Sequence, residues 1–357
     1  MKTLPPIDEM QRAYLGRDAT YNGVFFFAVK STGIFCRPTC PARKPLPKNV
    51  EYFNTAEAAM EAGYRACQRC RPLEWDDEPQ WATALLDDIR RDPTSRITDH
   101  DLSERGIDPA TVRRHFQRRY GMTFHAYARA QRMTGALEQL NGSGTLDDAV
   151  FESGYDSHSG FREAFVRMFG ETPGRSRNGQ CVRLSWFRSP LGPLVAGATD
   201  EGICLLEFNE PERLRSQSDA LRKQLGLPLL PGSHRHLDQL EEQLAAYFAG
   251  SRREFKVPLL FPGTAFQQHV WQALLTIPYG ETSSYEQLAN DIGSPTAARA
   301  VGRTNGLNRI SIVIPCHRVV SKNGTLCGYG GGLRRKEFLL NLEQQHRRAR
   351  DDNLVSR

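Results

Sequence analysis

At 357 residues, with 47 Lys and Arg against 41 Asp and Glu and a net charge of +6, the chain is too long for one ordinary core and too mildly charged for its total to name a partner. The opening Met1-Lys2-Thr3-Leu4-Pro5-Pro6 lacks the apolar stretch of a secretory signal, and no window approaches the ~18 apolar residues of a membrane span, so a soluble cytoplasmic protein with no membrane partner is expected. Four of the eight cysteines fall within the first 70 residues in short-spaced pairs, which in such a compartment favours a metal over disulfides.

Those pairs come first along the chain: Cys36-x3-Cys40, then 26 residues, then Cys67-x2-Cys70. Two thiolates from one turn of chain can reach the same ion, and four such soft ligands suit tetrahedral Zn2+; an iron-sulfur cluster and a redox dithiol are the alternatives. Spacing alone favours a closed site that only holds a small module together. Breaks at residues 72–79, at 172–179, where Arg175-Ser176-Arg177 adds basic charge, and more weakly at 226–232 divide the rest into a helical middle and a C-terminal half.

The middle repeats itself. Gly106-Ile107-Asp108, Val112, Phe116, Tyr120-Gly121 and Thr123 recur as Gly154-Tyr155-Asp156, Phe161, Phe165, Phe169-Gly170 and Thr172, at an offset of 48 and then 49 residues. In each copy a short amphipathic segment (102–105; 149–153) meets a Gly turn and then a helix with apolar residues four apart, which is the helix-turn-helix pattern twice over. Tyr127, Ala130, Met133, Leu137 and Leu140 predict a connecting helix between the copies. The same spacing would serve a plain helical bundle, and the basic run 113–119 a solvated helix face. Arg113, Arg114, Gln117 and Arg118, however, are side chains suited to phosphates and guanine edges.

Short apolar strands punctuated by Gly192, Gly197 and Gly202 follow. Further on, the run Ile310-Ser311-Ile312-Val313-Ile314 reads as a buried strand stopped by Pro315, with Cys316 at its end. A nucleophilic cysteine must be a thiolate, and an ordinary thiol with a pKa near ~8.5 needs a base. His317 is adjacent, but neighbours on an extended chain point to opposite faces, so contact would require a turn or a bridging water. By itself such a pair also fits a buried structural thiol. Gly328-Tyr329-Gly330-Gly331-Gly332 follows no βα start and lacks G-x-G-x-x-G spacing, which excludes a dinucleotide fingerprint. Cys181, Cys204 and Cys327 have no base or metal partner in sequence and are expected to be bystanders.

Three stretches carry a family resemblance. Gly33-Ile34-Phe35-Cys36-Arg37-Pro38-Thr39-Cys40 with Ala66-Cys67-Gln68-Arg69-Cys70 resembles the N-terminal module of the Ada family, the double helix-turn-helix resembles its AraC-type section, and residues 261–343 around Pro315-Cys316-His317-Arg318-Val319 resemble O6-alkylguanine-DNA alkyltransferases. The resemblance implies a multidomain α+β chain: a small four-cysteine zinc module (1–76), an all-α double helix-turn-helix domain (77–178), an alkyltransferase unit with a β-rich subdomain (179–262) and a helical active domain (263–346), and a tail (347–357).

It further implies that Cys36, one of four zinc ligands with Cys40, Cys67 and Cys70, takes methyl groups from DNA methylphosphotriesters, with Arg43 near the DNA backbone. Cys316 would take alkyl groups from O6-alkylguanine and O4-alkylthymine. His317 would deprotonate it through water, Glu343 would orient the histidine, and Asn308 would support the active-site turn. Tyr285 would turn the target nucleotide's phosphate, Arg299 would fill the stack left by the flipped base, and Tyr329, followed by Lys336, would lie beside the O6 oxygen. Implied partners are double-stranded DNA and RNA polymerase, with the protein a monomer. The rival from another class is a zinc- or thiol-sensing transcription factor whose alkyltransferase-like half is inactive.

Overall fold

The aromatic run Phe25-Phe26-Phe27 alternates its side chains across a small N-terminal sheet and so supplies both of that sheet's cores. A computed structural model describes residues 4–73, 79–142, 144–170, 172–174 and 179–355. The linker residues 74–78 and the basic residues Arg175 and Arg177 lie outside the described residues. The chain divides into two units, Met1–Gln80 and Trp81–Arg357.

The first unit contains α1 (Ile7–Gly16), β1 (Phe26–Val29), β2 (Ile34–Cys36), β3 (Val50–Phe53), α2 (Ala56–Glu61) and β4 (Arg65–Ala66). The strands order as β3-β1-β2-β4, with β1 antiparallel to both neighbours and β4 parallel to β2. Phe27 packs with Met10, Tyr14 and all four clustered cysteines on one face, while Phe26, Ala28 and Phe35 pack on Ala56 and Ala59 of α2 on the other.

The second unit opens with six helices: α3 (Gln80–Arg91), α4 (Asp99–Glu104), α5 (Pro109–Tyr120), α6 (Phe124–Asn141), α7 (Leu146–Glu152) and α8 (His158–Phe169). The two copies of the repeat start alike, with capping boxes Thr98/Asp101 and Thr145/Asp148 on α4 and α7. They also end alike, since Gly121 and Gly170 adopt the left-handed conformation that stops α5 and α8. The expected connecting helix is α6, whose N-terminal half shares a core with Leu102 and Phe116 and whose C-terminal half shares one with Val150 and Phe161.

A four-stranded sheet follows, made of β5 (Val182–Phe187), β6 (Leu194–Thr199), β7 (Gly202–Phe208) and β8 (Leu229–Pro231) in the order β7-β6-β5-β8, with α9 (Pro211–Leu225) crossing to the parallel edge strand β8. Its β5–β8 end packs against the helical section: Trp186 of β5 lies 4.9 Å from Tyr120 and 6.1 Å from Tyr127, ring to ring, and Thr134 of α6 reaches Pro231 O of β8. Then come α10 (Arg235–Phe248), α11 (Ala265–Leu275), β9 (Ser283–Ser284), α12 (Tyr285–Asp291), α13 (Ala298–Gly306), β10 (Val319–Val320) and α14 (Leu333–Val355). Helices α12 and α13 form a further helix-turn-helix and pack on α11, with Leu288, Ala289 and Val301 in the core that also holds Trp271.

One local expectation fails. Residues 310–314 are buried as expected but are not a strand: a single bridge joins Ile310 to Leu206, and the chain then folds through successive turns with Ile312 at φ 73°. The cause is Asn308, whose Oδ1 accepts from Ile310 N at 2.9 Å and whose Nδ2 donates to Ile314 O at 2.9 Å. Those bonds, with Val313 N donating to Ser311 O and Ile314 N to Ile310 O, close the segment on itself, so that pairing with β7 stops after Ser311 N donates to Leu206 O. Cys316–Arg318 continues as a single 3-10 turn.

Candidate functional sites

Pairing of β2 with β4 assembles the four-cysteine cluster. The parallel register sets Phe35 opposite Ala66, so Cys36 and Cys67 emerge side by side one residue later. Tight turns then fold the second member of each pair back, with Cys40 N donating to Arg37 O at 3.0 Å and Arg71 N to Cys67 O at 2.8 Å. All four Sγ atoms lie within 4.8 Å of one another, and Cys40 and Cys67 are 3.9 Å apart. A tetrahedron with Zn–S bonds of about 2.3 Å has edges of about 3.8 Å, so the residues fit zinc with little adjustment. Beside the cluster lies a cleft of about 640 Å3 whose lining includes Cys36, Cys40 and Cys67 together with Arg43, Lys44, Arg65 and Arg69, a positive rim next to soft nucleophiles.

The second site is assembled around the turn that Asn308 closes. Its Nδ2 also donates to Cys316 Sγ at 3.0 Å, and Asn305 Nδ2 reaches Cys316 O at 3.4 Å. Burial pushes the Cys316 thiol up to about 11, against the Asn308 hydrogen bond that favours the thiolate. The resting sulfur is therefore protonated and needs a base. His317 Nε2 lies 2.9 Å from Glu343 Oε1, which fixes the ring, while its Nδ1 is buried with no partner among the described residues. Burial also holds this imidazole below its ordinary value, hence neutral and able to accept a proton.

Glu343 on α14 is fully buried and accepts from Tyr247 Oη at 2.8 Å, from Gly280 N at 2.9 Å and from Arg318 at 2.9 Å through both Nε and Nη2. Burial opposes its ionisation, but the hydrogen bonds and charges of His317 and Arg318 outweigh that and hold the carboxyl below its ordinary value. Arg318 was available to sequence reasoning as the fourth residue of the pentapeptide. Tyr247, 96 residues from Glu343, carries no local signal.

Around the cysteine, Tyr285 begins α12, Gly302 of α13 leaves room for its ring, and its hydroxyl is 3.9 Å from Cys327 Sγ. The expected bystander Cys327 thus borders the site. Tyr329 Oη is buried and has no partner among the described residues. Lys336, fully buried, donates to Val319 O at 2.5 Å and Cys327 O at 2.6 Å, tying the glycine-rich loop to the strand after the cysteine. Arg299 stands exposed on α13 with no ion-pair partner among the described residues. Of the residues on α5, Arg113 pairs with Asp99 at 3.5 Å, Arg114 with Asp108 at 3.6 Å, and Gln117 bonds Gly121 O at 3.0 Å. These three and Arg118 are exposed. On their own such surface pairs contribute little and break readily in favour of phosphates.

Comparison with known proteins follows the same division. Residues 9–73 match the metal binding domain of Ada, 103–179 a helix-turn-helix domain, 182–261 the ribonuclease-like domain of 6-O-methylguanine DNA methyltransferase, and 265–345 its DNA binding domain. The bifunctional transcriptional activator/DNA repair enzyme Ada of Escherichia coli is 34% identical over 348 residues, covering 95% of this chain and 97% of that protein. The regulatory protein ada of Salmonella typhimurium is 34% identical over 351 residues, with the same coverage. A methylated-DNA--protein-cysteine methyltransferase of Mycobacterium bovis is 48% identical over 160 residues, 44% of this chain and 88% of that protein.

Proposed function

The chain belongs to the Ada family, and on that premise we propose that it is a suicide methyltransferase with two acceptors, Cys316 for O6-alkylguanine and Cys36 for DNA methylphosphotriesters, coupled to transcriptional control through its helix-turn-helix section. The observation that carries the first acceptor is the pair of contacts on adjacent residues, Asn308 to Cys316 and Glu343 to His317, which leaves His317 Nδ1 buried and without a partner among the described residues. An alkyl carbon on O6 is inside the duplex, so the base must be flipped out, with Tyr285 and Arg299 supplying the turn and the filler. Water held at His317 Nδ1 takes the thiol proton and passes one of its own to that nitrogen, Cys316 sulfur attacks the alkyl carbon, the S–C bond forms as the C–O6 bond breaks, and the electron pair leaves on the guanine. Tyr329 Oη, unpartnered at rest, donates to that oxygen. A thioether is a poor leaving group, so the domain acts once.

At the N-terminal site zinc, when bound, keeps thiols deprotonated at neutral pH. Cys36 sulfur takes the methyl carbon and releases an ordinary charged phosphodiester, and Arg43 in the cleft rim holds the backbone. The corresponding domains are 1–76, 77–178, 179–262 and 263–346 with a tail to 357. Arg113, Arg114, Gln117 and Arg118 read DNA, RNA polymerase is the downstream partner, and the protein works as a cytoplasmic monomer. No helix among the described residues is long and apolar enough to cross a membrane.

The test is a pair of variants. Cys316→Ala abolishes O6-methylguanine repair and leaves DNA binding intact, while Cys36→Ser leaves O6-methylguanine repair intact and abolishes phosphotriester repair. Wild-type repair of O6-methylguanine by Cys316→Ala would remove Cys316 as the acceptor, whereas no transfer by the unaltered protein favours the rival reading of a regulator with an inactive second half.

A further inference from the structure

Tyr329 sits on a loop of three consecutive glycines that has little side-chain material to hold it in place. Lys336 ties its start at Cys327, and its glycines are held by Arg335, in the first turn of α14 and 6% exposed. Its Nη1 donates to Gly331 O at 2.9 Å, its Nε donates to Leu191 O at 3.0 Å in the β5–β6 turn, and the guanidinium is ion-paired with Glu210 at the start of α9. The same guanidinium lies 4.1 Å above the Phe208 ring, whose edge meets Tyr329 at 6.5 Å. The loop is pressed onto that ring, since a Cβ on Gly331 would come within 2.5 Å of Phe208 and 2.7 Å of Tyr329. Arg335 therefore joins the adjacent glycine-rich loop to two segments remote in sequence, and its contacts converge on Gly331 and Phe208, both of which border the Tyr329 ring.

We propose that Arg335 is a positioning residue for alkyl transfer: it fixes the glycine-rich loop against Phe208 so that the Tyr329 hydroxyl is aimed at the leaving oxygen. This rests on the reading of Tyr329 as the donor to O6. A residue that acts only by aiming Tyr329 has nothing left to aim once the hydroxyl is gone, so the two substitutions are not independent.

The experiment is a double-mutant cycle on the full chain, with single-turnover transfer from an O6-methylguanine duplex measured at saturating DNA. Expected are a loss of about tenfold or more for Arg335→Met, a similar loss for Tyr329→Phe, and little further loss when both are combined, with half-saturating DNA concentrations within about threefold of wild type. Arg335→Lys keeps the charge near Glu210 but not the forked geometry, and recovers only part of the rate. Should Arg335→Met fold poorly, Gly331→Ala displaces the loop from the other side and produces the same non-additive loss. Losses that multiply in the double variant, with Tyr329→Phe itself slow, overturn the role of Arg335 alone. A wild-type rate for Tyr329→Phe overturns the reading of Tyr329 on which it stands.

Discussion

Replacing Asn308 by alanine tests the acceptor site at the residue that both shapes its backbone and touches its sulfur. Ile310 N–H loses its side-chain partner, and Ile314 C=O keeps only the Cys316 N–H at 2.8 Å. At ~1–3 kcal/mol for the orphaned donor and ~0.5–1.5 for the second lost bond, the variant is less stable by roughly 1.5–4.5 kcal/mol, seen as a lower urea midpoint with an unchanged slope. The third bond, at 3.0 Å to Cys316 Sγ, has a chemical consequence. A hydrogen bond to a charged group contributes ~1.5–3 kcal/mol, so its loss raises the thiol by about one to two pKa units and lowers the thiolate population about ten- to a hundredfold. With the wild-type thiol already pushed up to about 11, both proteins are mostly protonated between about pH 7 and 9, so the single-turnover rate falls by this factor across that whole range. DNA affinity is expected to be unchanged, because Asn308 is buried and presents no surface to DNA. A folded variant with a rate within about twofold of wild type would refute the claim that Asn308 stabilises the thiolate.

Two further outcomes follow from the charges. Glu343→Gln leaves Arg318 buried without its counterion, a loss of ~3–5 kcal/mol at neutral pH. Because the native carboxyl is held below its ordinary value, that contribution is complete above the unfolded pKa near ~4.3 and is lost as pH falls toward the depressed native value; urea titrations should show the two proteins converging on acidification, and a pH-independent difference would remove the ion pair from the explanation. At the zinc site, four thiolates around Zn2+ carry a formal −2 and methylation of Cys36 leaves −1. One charge removed ~6 Å from a phosphate relieves about 0.7 kcal/mol at the dielectric of water and about 3 at an effective value near 20, so methylated protein should bind its operator about threefold to a hundredfold more tightly, with the gain shrinking in salt. Equal affinities would mean that the module repairs backbone damage without signalling it.

The sequence carried the chemistry further than the local geometry. Cys36, Cys40, Cys67 and Cys70 were legible because metal ligation fixes spacing, and the double repeat because each copy must bury the same helix face, down to Phe116 and Phe165. Residues 310–314 misled because β-branched residues report burial as readily as strand; the deciding contact was made by a polar residue two positions upstream of the run, Asn308, through both of its side-chain atoms. Tyr247 and Arg335 were silent for a different reason. Each acts on a partner brought near only by the fold, Glu343 on another helix in one case and the Leu191 turn in the other.

The most direct measurement is peptide mass mapping after the full chain is exposed separately to duplex carrying O6-methylguanine and to duplex carrying methylphosphotriesters. The account predicts one added methyl on the Cys316 peptide in the first case and one on the Cys36 peptide in the second, each saturating at a single equivalent. Methyl groups on Cys327 or Cys204 instead, or none on Cys316 after exposure to O6-methylguanine, would contradict it.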